Sequence, residues 1–288
     1  MFLNVSHRLF YTYSEPIFPE PHTLYLHPKA YPHQQIVSHS LKIDPAPHML
    51  VYNIDAEGNN QNIAYFREKT DKLSVSVEMV IRSEDFNSFE FVLFPFETER
   101  IPFHYSEALR KFLQPYLLRE GVTTYVEQFA RQTAANARWM TIPFLTSLCA
   151  HIAGDFMYER REVGPPLLPE HTLIGRKGTC RDFAQLFVAC CRGVGRAARF
   201  VSGYLYGNPL QAHDLHAWAE VYLPGAGWRG FDPTDGKAVM NNHVYLASSA
   251  DPGLVTPVSG VFRGKAKSTL STEVTVSAGE PMNQSMNG

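Results

Sequence analysis

Of the four cysteines in the chain, Cys149, Cys180, Cys190 and Cys191, Cys180 has the setting of a nucleophile. A thiol attacks a carbonyl carbon only as its thiolate, so a reactive cysteine needs a local source of positive potential and a base within reach. Cys180 stands in Gly178-Thr179-Cys180-Arg181-Asp182-Phe183-Ala184, and behind it Phe183, Leu186, Phe187 and Cys190 recur at spacings of three and four until Gly193. That is one buried helical face with a glycine stop. Cys180 therefore opens a helix, where unpaired N–H groups and the positive end of the macrodipole favour an anion by about 0.3–1 kcal/mol. This amounts to no more than about one pKa unit. An imidazolium must supply the remainder. Asp182, an acid in the first turn, is read as a helix-terminus residue.

His216 is the candidate base. From His216 to Leu223 the chain alternates His, Trp, Glu and Tyr with Ala, Ala, Val and Leu, then turns through Pro224-Gly225-Ala226-Gly227 and re-emerges as Trp228-Arg229-Gly230-Phe231-Asp232-Pro233. This reads as a β-hairpin. A turn centred on Pro224 places Asp232 opposite His216, and a centre one residue away keeps the two on one face as diagonal neighbours. A carboxylate beside an imidazole fixes its tautomer and stabilises its cation, the orienting role in a nucleophile–base–orienter triad. Pro233 cannot donate to a ladder and ends the strand just past the carboxylate.

Together G-x-C-R-D-F-A at Cys180, H-A-W-A-E-V-Y-L-P-G-x-G-W at His216 and F-D-P-T at Asp232 resemble the three signature blocks of the transglutaminase-like superfamily, in the family's order. The resemblance implies a papain-like core in which Cys180 is the nucleophile, His216 the base and Asp232 the orienter. It also implies acyl transfer on the amide bonds of a peptide or protein substrate. Hydrolysis by a cysteine peptidase or amidase is the expected outcome, because the chain has no sign of the calcium sites and extra β domains of the animal cross-linking enzymes. The alternatives are a protein-glutamine γ-glutamyltransferase and a non-catalytic peptide-binding module. Trp218 and Trp228, inside the second block, are expected to wall the substrate site. His213 and His216 form H-x-x-H, but that spacing on a strand or loop does not bring two imidazoles to one ion, so neither metal nor cofactor is expected.

The elements that position these residues follow from pattern. Segments 35–43, 49–54 and 73–81 are rich in Val, Ile and Tyr, with Leu73, Val75, Val77, Met79 and Ile81 alternating and Asp55-Ala56-Glu57-Gly58-Asn59-Asn60 as a turn. They predict an antiparallel sheet. This region, with Tyr13-Ser14-Glu15-Pro16-Ile17 and Asp55-Ala56-Glu57-Gly58-Asn59, is similar to the β-rich domain that precedes the core in bacterial transglutaminase-like proteins. Residues 86–104 carry six phenylalanines and are expected to be packed down as a connector. Helical periods occupy 106–113, 122–138 and 142–157, with Phe144, Leu145, Leu148 and Ile152 on one face. Arg161 to Lys177 reads as a loop leading to Cys180, and strands are expected at 197–206, 239–246 and 271–277.

The resulting expectation is an α+β chain with a β-rich N-terminal domain over 1–100, a core of cysteine helix and antiparallel sheet over 101–278, and a frayed tail over 279–288. With 44% hydrophobic residues and a net charge of −2, a sizeable core is expected and no nucleic-acid or anionic-membrane partner is implied. No apolar run approaches the ~20 residues of a membrane span. The first residues lack a basic, then apolar, export pattern. Adjacent Cys190 and Cys191 in a helix are poor disulfide partners, so a reducing cytoplasmic location is expected.

Overall fold

The computed structural model describes residues 1–161, 164–207 and 215–279. The chain opens with six strands: β1 (Phe2–Pro19), β2 (His22–Leu24), β3 (Gln34–Asp44), β4 (Met49–Ile54), β5 (Asn60–Tyr65) and β6 (Thr70–Ser83). The long strands β3, β6 and β1 pair antiparallel, with Val5 opposite Met79 and Leu41 opposite Val77. Alternation puts Leu73, Val75, Val77, Met79 and Ile81 on one buried face, as the period-two pattern requires. The predicted 55–60 turn joins β4 to β5, and Asp55 closes it by accepting the N–H groups of Glu57 and Asn59 at 2.9 and 2.8 Å. This is a side-chain turn of the kind that favours Asp.

The connector differs from expectation. Of its six phenylalanines, Phe103 is buried, Phe86 stacks on His33 with ring centroids 4.0 Å apart, and Phe91 packs partly against the core. Phe89, Phe94 and Phe96 are exposed. Leu93 and Ile101 are the residues that anchor the crossing. Aromatic count overstated the packing because the segment is held by alternate contacts rather than by one continuous face.

Three helices follow near the predicted positions, α1 (Glu107–Leu113), α2 (Thr124–Asn136) and α3 (Thr141–Asp155). A short pair, β7 (Met157–Tyr158) with β8 (Lys177–Gly178), encloses α4 (Pro169–Gly175), so the segment expected as plain loop contains a helix. Pro169 and the acidic Glu170 in the first turn are its start signals, and seven residues are too few to show a period. Next comes α5 (Cys180–Gly193), whose side chains from Phe183 to Cys191 are buried except Gln185. It lies between α2 and α3 on one side and the second sheet on the other.

That sheet runs in the order β12 (Lys237–Ala238), β11 (Gly227–Asp232), β10 (His216–Leu223), β9 (Ala198–Leu205), β13 (His243–Ser249), with every pair antiparallel. All eight residues of β9 are buried. The reason is that α5 covers one face while Tyr204, Val244 and Leu246 on the other join the core of the N-terminal sheet. The chain then returns. Strands β14 (Val258–Ser259), β15 (Phe262–Arg263) and β16 (Ser268–Ala278) add to β2 and β1. The final strand was expected inside the 101–278 core; it pairs instead along eleven residues of β1, Leu3 opposite Ala278 to Tyr13 opposite Ser268. Its single fully apolar inward position, Val274, gave no signal of which sheet it would join. The tail over 280–288 lies outside the described residues, and no helix among those described is long and apolar enough to cross a membrane.

Polar contacts lock the two sheets together. The Glu220 carboxylate on β10, fully buried, accepts from Arg199 Nε on β9 at 2.7 Å and from the Tyr31 hydroxyl of the N-terminal region at 2.9 Å. Arg199 also lies over Trp228 at 4.0 Å from the ring centre. Removing one partner of a buried, hydrogen-bonded pair leaves an uncompensated charge, at a cost of about 3–5 kcal/mol. Glu220→Ala is therefore expected to lower unfolding free energy by about that amount in urea titration, and the paired replacement Glu220→Leu with Arg199→Met to recover most of it.

Candidate active site

Cys180 is the first residue of α5, and its backbone geometry is set by Asp182. One Asp182 oxygen accepts the Thr179 N–H at 2.8 Å and the Thr179 hydroxyl at 2.9 Å, closing the helix start. The other accepts Arg161 and the Leu167 N–H, each at 2.7 Å. The expected helix-terminus acid thus also ties down the segment that approaches the cysteine. Gly178 is required beside it, since a Cβ there would come within 2.8 Å of the Asp182 Cβ. The Cys180 side chain packs against Ala184, Phe200 and Ala217 and is 7% exposed, with Sγ 4.0 Å from the Leu215 carbonyl.

His216 begins β10, directly after Leu215. The ladder between β10 and β11 sets Ala219 opposite Phe231 and Leu223 opposite Gly227. Its centre lies one residue beyond Pro224, so His216 and Asp232 are diagonal neighbours on one face, the second of the two registers expected. His216 Nε2 and Asp232 Oδ2 are 2.6 Å apart, and both side chains are buried. With Nε2 committed to the carboxylate, Nδ1 is the ring nitrogen left to serve Cys180, whose side chain helps to favour the charged form of this ring. Burial opposes charge on His216, but the Asp232 carboxylate, its hydrogen bond and the Cys180 side chain outweigh it and push the pKa up to about 10. Burial alone would raise the Asp232 carboxyl; the two histidines beside it hold it well below the usual carboxylate range.

A residue that sequence reasoning did not single out completes the group. His243, at the start of β13, places Nε2 3.1 Å from the same Asp232 oxygen. The other Asp232 oxygen accepts the N–H groups of Thr234 and Asp235 at 2.9 and 3.3 Å. Only the predicted 239–246 strand contained His243, and nothing in its immediate sequence ties it to Asp232. His216, Asp232 and His243 each offer one potential metal-ligand atom within 4.8 Å of the others. The separations of 2.6 and 3.1 Å are those of N–H···O hydrogen bonds, so shared protons account for the arrangement. His213 lies outside the described residues.

The tryptophans do not line the site. Trp218 is fully buried, packs with Val201, Val239 and Tyr245, and sits edge-on to His243 with ring centroids 5.1 Å apart. It supports the imidazoles from behind. A methyl at Gly203 would collide with its ring and with the Val244 carbonyl, so a glycine on β9 makes its room. Trp228 packs edge-on to Tyr116 and Tyr222, under Arg199. Both were expected to wall a substrate; their large apolar surface is used in the core and between the two sheets. The other cysteines lie in apolar surroundings, where burial pushes the thiols of Cys149, Cys190 and Cys191 upward, and all four are unpaired.

The sulfur faces a cleft of about 450 Å³. One wall comes from the core, with Tyr158, Arg160, Arg161, Thr179 and Arg181. The other comes from the N-terminal sheet, with Leu9 and Tyr11 of β1 and Leu270, Ser271 and Thr272 of β16. A buried sulfur, imidazole and carboxylate in series can stabilise a thiolate–imidazolium pair and move one proton along one line.

Known proteins resemble this chain over most of its length. A solved structure of a candidate cysteine protease from Cytophaga hutchinsonii superposes with a TM-score of 0.70 over 97% of this chain and 92% of that one, at 21% identity. An uncharacterized protein of Mycobacterium tuberculosis is 27% identical over 92% of this chain and 89% of its own length, as is one of Mycobacterium bovis. A protein-glutamine gamma-glutamyltransferase of Pseudomonas aeruginosa is 39% identical, but over 67 residues that make up 20% of this chain and 10% of that protein. Residues 127–233 match the Transglutaminase-like superfamily and residues 3–82 the Bacterial transglutaminase-like N-terminal region. The chain therefore belongs to the transglutaminase-like superfamily, with its N-terminal region of the bacterial type.

Proposed function

We propose that this protein is a thiol-dependent acyltransferase acting on amide bonds of peptides or proteins, with water as its main acceptor. The observation that carries the reading is the buried series of Cys180, His216 and Asp232, with the 2.6 Å contact between ring and carboxylate and the sulfur opening on a cleft. In the first half-reaction the Cys180 thiolate adds to the amide carbonyl. His216, charged and held by Asp232, gives its proton to the departing amine, and a thioester on Cys180 results. Neutral His216 then takes a proton from water, whose oxygen attacks the thioester; the acid leaves and the thiolate–imidazolium pair is restored. The Cys180 N–H, in the first helical turn with no intrahelical acceptor, is placed to stabilise the developing oxyanion. If a primary amine takes the place of water, the same thioester yields a new amide. The short stretch shared with the Pseudomonas aeruginosa gamma-glutamyltransferase favours keeping this second reading.

Incubation with a library of peptides and glutaminyl amides, with and without a primary amine, separates the reactions by mass spectrometry. Peptide cleavage or release of ammonia is expected without the amine, and amine incorporation as the major product would overturn the hydrolytic reading. Cys180→Ala should abolish every product. Iodoacetamide near neutral pH is expected to label Cys180 at least about 100-fold faster than Cys149, Cys190 or Cys191, because only the thiolate reacts. Equal sluggishness at all four would support a non-catalytic binding module.

The charge on His216 gives a pH test. Its folded pKa stands near 10 against an ordinary 6.5, so the cation stabilises the fold fully below about 6.5 and this contribution fades as pH rises through about 10. In proton NMR the His216 ring is expected not to titrate between about pH 6 and 8.5, and turnover to fall in the alkaline range as the proton donor is lost. Titration of this ring near 6.5 would contradict the pairing.

A further inference from the structure

We propose that His243 is a positioning residue of this site, a second imidazole that holds the Asp232 carboxylate in the orientation that serves His216. The inference rests on the acyl-transfer reading but not on the identity of any substrate.

A carboxylate turns easily about its last side-chain bond, whose torsional preference is broad. Asp232 is fully buried, out of reach of bulk solvent, and its four acceptor positions meet four N–H groups. Thr234 and Asp235 hold Oδ1 from the turn after β11, while His216 and His243 share Oδ2 from β10 and β13. The backbone donors fix one end of the group. Without His243 the other end would be fixed by His216 alone, the partner whose charge changes in each half-reaction. A donor whose position does not depend on that cycle keeps Oδ2 in place throughout.

His243 is built for this. The residue is 2% exposed, and its ring stands edge-on to Trp218. Its Nδ1 lies 3.3 Å from the Met240 N–H and 2.9 Å from Asn242 Oδ1. The Asn242 amide is oriented by its own donation to the Tyr206 carbonyl at 3.1 Å. In the neutral tautomer that carries its proton on Nε2, Nδ1 accepts from Met240. In the cation Nδ1 donates to Asn242 and Nε2 still carries a proton. Both forms therefore donate to Asp232. The titratable groups facing this ring are Asp232 on β11, His216 on β10 and, at longer range, His33 from the N-terminal region.

The test uses the full chain and the pH dependence of Cys180 alkylation by iodoacetamide. His243→Met removes the donor at similar volume, His243→Gln keeps an N–H at the same reach, and Asp232→Asn and His216→Asn are the references. His243→Met is expected to alkylate about 10-fold more slowly at neutral pH, with its profile moved toward that of an ordinary thiol, the order of loss seen when an outer partner of a site is removed. His243→Gln should stay within about 2-fold of the parent, a rescue that lost packing alone would not give. If His243→Met matches the parent while both references are slow, the positioning role is overturned and the acyl-transfer reading stands. If both references also match the parent, the reading itself fails and the inference with it. Should His243→Met not fold, ring nitrogen NMR of the parent decides: a proton on His243 Nε2 supports the role, and a proton on Nδ1 alone overturns it.

Discussion

A full negative charge on Asp232 in a dry interior is the constraint around which the core is arranged. An isolated buried carboxylate would be costly enough to take up a proton instead. Four N–H groups make the charged form the stable one, and they come from three places: β10, β13 and the turn after β11. Strands β11 and β13 are not neighbours in the sheet; β10 and β9 lie between them. Reaching across requires Trp218 to fill the space under both imidazoles and Gly203 to admit its ring. The order of strands, the large side chain and the missing one are therefore parts of one solution to the electrostatics of a single carboxylate.

Cys180, His216 and Asp232 were legible because each sits at the end of an element with a strong local signal. The cysteine precedes a helical period, the histidine opens an alternating strand, and the aspartate precedes a proline; hairpin arithmetic then relates the last two. His243 was not legible. It meets Asp232 through the packing of two strands separated by two others, and no local pattern encodes that distance. The tryptophans failed for the opposite reason. Their place beside the histidine in sequence suggested a place beside the substrate, yet alternation puts Trp218 on a face sealed by Val201, Val239 and Tyr245.

In the N-terminal sheet β6 was legible because its period is strict and β3 was placed by its β-rich composition, but β1, the strand between β6 and β16, was not singled out; α4 and β16 likewise expose the limits of pattern. Seven helical residues cannot display a face. A strand of eleven residues with one fully buried apolar position shows that it is extended but not what it pairs with. Its register along β1 is fixed by backbone hydrogen bonds, which every sequence offers equally.

The return of β16 to β1 also decides what kind of cleft the sulfur faces. The Leu270 to Thr272 stretch of this strand and Leu9 and Tyr11 of β1 form one wall; the approach segment pinned by Asp182 forms the other. Tyr204, Val244 and Leu246, from the sheet that carries the histidines, are packed among Leu3, Val5 and Leu9. His7 reaches the Tyr204 hydroxyl at 2.9 Å across this boundary. The apolar area that seats the N-terminal sheet is thus continuous with the scaffold that holds the imidazoles. A core made of helix and second sheet alone would present Cys180 on an open surface. With the N-terminal sheet in place, the sulfur lies at the base of a two-walled groove, where water is limited and electrostatic contacts with a bound amide are strengthened. The N-terminal region is in this sense part of the site, and the reason is mechanical: the same contacts that bury its hydrophobic face set the distance between the walls.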